Sequence, residues 1–311
     1  TPQGHVSVTY PVNQAIQRMK RVLFQPFDLG KWITIGFCAW LAQLGEGGSG
    51  GHFNLPSHHH ENVQSLRRAI EQALEYVMQN LYWIVPLVVA LFLAGLVLWV
   101  LFLWLSSRGR FMFLHCVAFD RAEVAVPWHK YAREAGSLFW FRLVIGLAGM
   151  FITLPALVVA AVAGWRMVEC GEPNVGGICV LAGMVLLMVL LGIVFWIVNG
   201  LTAGFVVPIM FRRGGGCLAA WGVLLRLLGG NLEHFVLYFL FQIVLGLATG
   251  AIVITVVLVT CCILCCALAI PFVGTVLLLP ILVFRRAYSL YYLAQYGEEY
   301  DAFRAGPVTA P

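Results

Sequence analysis

Residues 81–107 read LYWIVPLVVALFLAGLVLWVLFLWLSS, without a single Asp, Glu, Lys or Arg. At 1.5 Å rise per residue a helix of this length reaches roughly 40 Å, enough to cross about 30 Å of hydrocarbon. A soluble helix needs a polar face, and this one has none. The stretch therefore decides the class of the chain, and the rest of the sequence decides how often it crosses.

Three more charge-free runs follow: Leu143–Trp165, Pro173–Phe211 and Phe235–Phe284. The last is too long for one crossing. Basic residues flank it on both sides, Arg226 before and Arg285 and Arg286 after, so it reads as two spans joined by a turn near Thr260–Pro271. Trp32–Leu44 is shorter and crosses only if Lys31 snorkels and Gln43 sits at the far interface. The expected fold is an all-α polytopic membrane protein with six transmembrane helices, at about 30–45, 81–105, 140–165, 177–200, 235–259 and 271–292.

Composition agrees. Of 311 residues, 61% are hydrophobic and 11% charged, against about 25% charged in soluble domains. Mean hydropathy is +0.90. A soluble enzyme, a disordered chain and a nucleic-acid binder are all excluded. With six spans, every one of the 19 Lys and Arg except Arg67, Arg68 and Arg166 falls on one side. The positive-inside rule makes that side the cytoplasm and places both termini there. An odd number of spans would destroy the asymmetry. Thr1–Tyr10 lacks the charged-then-apolar pattern of a cleaved leader, so the first span is expected to act as its own signal anchor. The organisation follows: residues 1–30 a cytoplasmic N-terminus with an interfacial helix, 31–296 the membrane domain, and 297–311 a cytoplasmic tail.

Before each odd-numbered span lies a short amphipathic stretch: AIQRMKRVLFQ (Ala15–Gln25), PWHKYAREAG (Pro127–Gly136) and AWGVLLRLLG (Ala220–Gly229). Each even span ends in a basic cluster, at Arg108 and Arg110, Arg212 and Arg213, and Arg285 and Arg286. The unit of interfacial helix, span out, span back and basic exit occurs three times. In the first stretch Ile16, Met19, Val22 and Leu23 form an apolar face, and Arg18, Lys20 and Arg21 a cationic one. Such a helix suits an interface where apolar side chains meet acyl chains and guanidinium or ammonium groups meet phosphate. Arg18, Lys20, Arg21, Lys31 and the three exit clusters are therefore the candidate ligands for anionic phospholipid. The same stretches also serve as plain elbows that start the next span.

On the outer side, the flexible Gly45–Gly51 leads to a helix expected over Val63–Asn80, whose stripe of Val63, Leu66, Ile70, Leu74 and Val77 suits a docking partner within the 45–80 segment. His52, His58, His59, His60 and Glu61 are metal-ligand types, but adjacent histidines in a Gly-rich loop do not converge. Cys261, Cys262, Cys265 and Cys266 have i,i+4 spacing, yet cysteine also packs well between membrane helices. No metal and no cofactor is expected. Polar side chains inside the spans are few: Arg142, Asn199 and Gln242, with no Asp, Glu or Lys at mid-membrane. That argues against proton-coupled transport, which needs a titrating group on the path. Pro26–Lys31 fits the PxDxxK of mitochondrial carriers but does not recur, and Glu298–Arg304 misses the EExxxR of intramembrane prenyl-protein proteases by one residue. No catalytic constellation is present, so the chain is expected not to be an enzyme.

Two stretches carry a resemblance, SRGRFMFLHCVAFDRAEVAVPW (Ser107–Trp128) and PFVGTVLLLPILVFRRAYSLYYLAQYGEEYD (Pro271–Asp301). They resemble multi-pass inner-membrane proteins of planctomycete- and verrucomicrobium-type bacteria. More distantly they are similar to the membrane domain of glycerophosphoryl diester phosphodiesterases and to YciC-type proteins. The resemblance implies a six-span helical fold with interfacial helices and no assigned activity. The expected function is that of a non-catalytic scaffold, accessory subunit or lipid-organising factor in the bacterial inner membrane. The alternative is a transporter or channel for an uncharged or lipidic solute, which needs a wet cavity lined by Asn199, Gln242, Thr202 and Thr153.

Overall fold

The computed structural model describes residues 7, 9–25, 27–44, 75, 76, 78–170, 175–259 and 271–303. The histidine loop, the Cys261–Cys266 cluster, all but the last residue of the turn near Thr260–Pro271, and most of the expected outer helix lie outside the described residues. Among the described residues there is no strand. The helices are α1 (Tyr10–Phe24), α2 (Leu29–Gln43), α3 (Leu81–Phe119), α4 (Ala125–Lys130), α5 (Ala132–Cys170) and α6 (Val175–Leu201), then a π-helical turn (Thr202–Val206), α7 (Val207–Arg213), α8 (Cys217–Gly230), α9 (Leu232–Val259), α10 (Pro271–Leu277) and α11 (Leu279–Ala294).

Four helical segments are long and apolar enough to cross a membrane: Leu81–Phe119, Ala132–Met167, Val175–Arg213 and Leu232–Val256. The remaining two expected spans differ from that pattern. The first is the 15-residue α2. The last breaks at Leu278, just before Pro280, into α10 and α11, because proline has no N–H to continue the ladder. Pro127–Gly136 likewise divides: α4 ends at Lys130, and α5 has begun by Ala132.

The chain forms two compact units. One comprises residues 1–50, 103–142 and 197–311, and the other 51–102 and 143–196. The first unit holds the buried core. Leu103, Ser106, Ser107 and Gly109–Ala118 of α3 are buried, as are Leu201, Thr202 and Phe205–Phe211 and much of α11. Tyr238 and Tyr288 stack with centroids 5.7 Å apart, Tyr238 meets Tyr292 at 4.6 Å, and Phe205 meets Tyr238 at 4.8 Å. Helix α1 packs on α11, and α2 on α10. Helices α2 and α3 approach closely at Gly109, where a Cβ would stand 2.5 Å from the Ala42 nitrogen and the Leu41 carbonyl carbon. Only glycine allows two backbones that near.

The ends of this unit are tied to it. The Ser7 N–H donates to Gln295 Oε1 at 2.9 Å, and Gln295 Nε2 donates to the Ser7 carbonyl at 3.0 Å. Tyr300 and Ala302 of the expected tail are buried, and Phe303 stacks on Tyr291 at 4.3 Å.

The second unit is built differently. Its close contacts set glycine against a large side chain: a Cβ on Gly146 would be 2.7 Å from the Trp99 ring, one on Gly149 2.3 Å from Phe195, and one on Gly177 2.9 Å from Met167. Most of its apolar side chains face outward, Tyr82, Phe151 and Val175 among them.

Candidate functional site

The polar groups of the first unit gather where three buried helical stretches meet, and the local sequence explains why. At the π-helical turn the Val207 N–H donates to the Thr202 carbonyl, five residues back instead of four. The next residue, Pro208, has no N–H. The Ala203 and Gly204 carbonyls, which those two groups would ordinarily satisfy, are left to other donors. Arg286 Nη1 supplies one to Ala203, and Ser289 Oγ donates to Gly204 at 2.6 Å. An unmade bond at a buried carbonyl costs about 1–3 kcal/mol, so one turn of α11 repairs what Pro208 and the π turn open.

Beside it, Arg110 Nη2 donates to Asn199 Oδ1 at 3.2 Å, and Arg142 Nη1 donates to Ser106 Oγ at 3.0 Å. Ser106 Oγ in turn donates to the Ala42 carbonyl at 2.9 Å. Arg110 is 4% exposed and Arg142 8%. Arg142, one of the polar side chains inside the expected spans, is enclosed by protein. Arg110 also faces Cys217, whose thiol is pushed up to about 12 by burial while the guanidinium pulls it down. An aromatic wall completes the region: Tyr131 stacks on Phe211 at 4.8 Å and on Phe111 at 6.0 Å. Burial, with the Glu134 charge adding to it, pushes the Tyr131 phenol up to about 12, so it stays neutral.

The candidate lipid ligands separate into two sets. One set is used inside the protein. Arg18 Nε donates to the Val117 carbonyl at 3.1 Å and its Nη2 to that of Ala118 at 2.6 Å, capping the last carbonyls of α3. Lys31 Nζ meets Asp120 Oδ1 at 2.8 Å, and Asp120 holds a φ of 59° just past the end of that helix. Arg108 lies 4.7 Å from the rings of both Trp104 and Trp128, a cation–π arrangement that fastens α4 to α3. Arg213 pairs with Glu299 and sits 4.8 Å from the Tyr300 ring. Arg212 is half-buried at the end of α7. The other set faces outward: Lys20, Arg21 and Arg285 are exposed. Of the apolar face expected for α1, Val22 and Leu23 are buried in the core and Met19 packs against it, while Ile16 is half-buried.

The intramembrane polar residues are also accounted for. Asn199 accepts from Arg110 across helices, whereas Gln242 Nε2 donates to Tyr238 Oη at 2.8 Å within its own helix. Thr202 and Thr153 donate back to Val198 and Met150 carbonyls at 2.6 and 3.4 Å. Among the described residues no group of three His, Cys, Asp or Glu side chains is placed to share a metal ion. Sequence reasoning missed Ser106, Ser289 and Tyr238. One signal for Ser289 was present: a proline inside a helix frees a carbonyl four residues back, which needs a donor from elsewhere.

No curated protein and no solved structure matches the chain. Residues 7–282 match a family of unknown function, DUF7544, and the chain belongs to that family.

Proposed function

We propose that this protein is a non-catalytic scaffold of the bacterial inner membrane that gathers anionic phospholipid around its cytoplasmic end. The observation that carries this reading is the division of the cations. Arg18, Lys31 and Arg108 serve the fold and Arg213 is exposed but paired with Glu299, while Lys20, Arg21 and Arg285 present charge to the surroundings. Each exposed basic residue near an anionic surface contributes about 1 kcal/mol of attraction. Of the polar side chains named for a transport path, Asn199, Thr202 and Thr153 have partners inside the protein, as does the Gln242 amide N–H, which supports a scaffold over a conduit.

In this reading the chain crosses six times with both termini in the cytoplasm. The pairing of Ser7 with Gln295 supports an even number of crossings, because it brings the two ends of the chain together. The three repeats also gain support from packing. Interfacial helix α4 is fastened to α3, α8 packs on α7, and α1 packs on α11. Each interfacial helix thus rests on the returning helix of the repeat before it, with α1 closing the cycle.

The second reading is transport of an uncharged or lipidic solute. It is favoured by Gln242, whose Oε1 is buried without a hydrogen-bond partner.

The test is native mass spectrometry of the protein released from mixed bilayers. Lys20→Gln with Arg21→Gln lowers the anionic lipid that stays bound and leaves the fold unchanged. Equal lipid retention in a folded double variant rejects the lipid role of this helix.

A further inference from the structure

Two cysteines that no part of the proposed function uses stand against each other in the first unit. Cys38 is on α2 and Cys116 on the last turn of α3, 78 residues apart in sequence, with their sulfurs 4.0 Å apart. Both side chains are fully buried. At that distance the sulfurs are in contact, with no atom between them. The surrounding helices hold them there: α2 and α3 meet backbone to backbone at Gly109, two turns from Cys116. Cys116 Sγ also lies 3.7 Å from the Glu123 carbonyl, in the short connection between α3 and α4, so oxidation of the pair requires local opening of this region.

We propose that Cys38 and Cys116 form a two-electron oxidation site, closed to a disulfide by peroxide and reopened by thiol reductant. The chemistry balances in two steps. One cysteine, as its thiolate, attacks a peroxide oxygen; the O–O bond breaks, and a sulfenic acid and one water result. The second cysteine attacks the sulfenic sulfur; the S–O bond breaks, a second water leaves, and the S–S bond forms. The two thiols lose two electrons and two protons, and hydrogen peroxide is reduced to two waters. In a reducing cytoplasm the dithiol is the resting form and the disulfide a transient one. The bond would lock α2 to the end of α3, the same helix end that Arg18 caps and Lys31 braces.

The experiment uses the full chain in lipid nanodiscs. It is treated with hydrogen peroxide, quenched with N-ethylmaleimide, digested and analysed by mass spectrometry. The expected result is a Cys38–Cys116 linked peptide, two hydrogens lighter than its parts, that disappears on dithiothreitol. The thermal midpoint of the oxidised protein rises by a few degrees, about what closing a long loop gives. Cys38→Ala abolishes both changes. Arg21→Cys, at an exposed position outside the spans, serves as the control for reagent access. The proposal is overturned if position 21 reacts while Cys38 and Cys116 are recovered as two separate maleimide adducts. It is equally overturned if they are recovered as two separate sulfinic acids.

Discussion

The two compact units solve the same problem, packing helices in an apolar medium, by different means. The unit of residues 51–102 and 143–196 uses shape: Gly146, Gly149 and Gly177 admit Trp99, Phe195 and Met167. The unit of residues 1–50, 103–142 and 197–311 also uses close glycine contacts, at Gly36 and Gly109, but adds polarity, with Arg110, Arg142, Arg286, Ser106 and Ser289 bonded to side chains and to freed carbonyls. Where lipid is as apolar as leucine, hydrophobicity does not distinguish one helix partner from another, and these two devices remain. Among the described residues, these bonded polar side chains lie in the first unit, while the second presents mainly apolar side chains.

The sharpest way to break the comparison is at glycine. Gly109→Ala places a methyl group 2.5 Å from backbone atoms of α2 and is expected to abolish the fold of the polar unit, costing more than about 3 kcal/mol. Gly95→Ala, in the other unit with nothing within 4 Å, leaves stability unchanged or slightly higher; chemical denaturation in mild detergent separates the two. Next comes the repair of the π turn. Ser289→Ala leaves the Gly204 carbonyl without its donor and lowers stability by about 1–3 kcal/mol, and Ser289→Thr recovers part of it. Smaller again is the cap: Arg18→Gln costs about 1 kcal/mol as fraying of the end of α3, visible as faster amide exchange over Cys116–Phe119. The smallest effect belongs to Lys20→Gln, which stays within about 0.5 kcal/mol because its side chain is exposed.

The sequence made the apolar helices legible because a charge-free run has one reading. Leu81–Phe119 and Val175–Arg213 follow from composition alone, apart from the extra turns that carry the first past Arg108 and Arg110 and the second through Arg212 and Arg213. The sites were harder. Arg18, Lys20 and Arg21 are near neighbours of one type, and periodicity places all three on a cationic face. Which of them meets a carbonyl depends on where the end of α3 arrives, a fact set by chain nearly a hundred residues away. Cys38 and Cys116 are invisible for the same reason, since neither has a local partner. Pro280 ends α10 where hydropathy alone runs straight through.

The account rests on the polar unit having no water path through it. The direct measurement is thiol accessibility: Thr202→Cys and Gln242→Cys are treated with a membrane-impermeant methanethiosulfonate from each side of a reconstituted bilayer, with Arg21→Cys as the exposed control. The account predicts rapid labelling at position 21 and none above background at 202 or 242 from either side. Labelling at 202 and 242 at rates comparable to position 21 would contradict it and establish a wet path in its place.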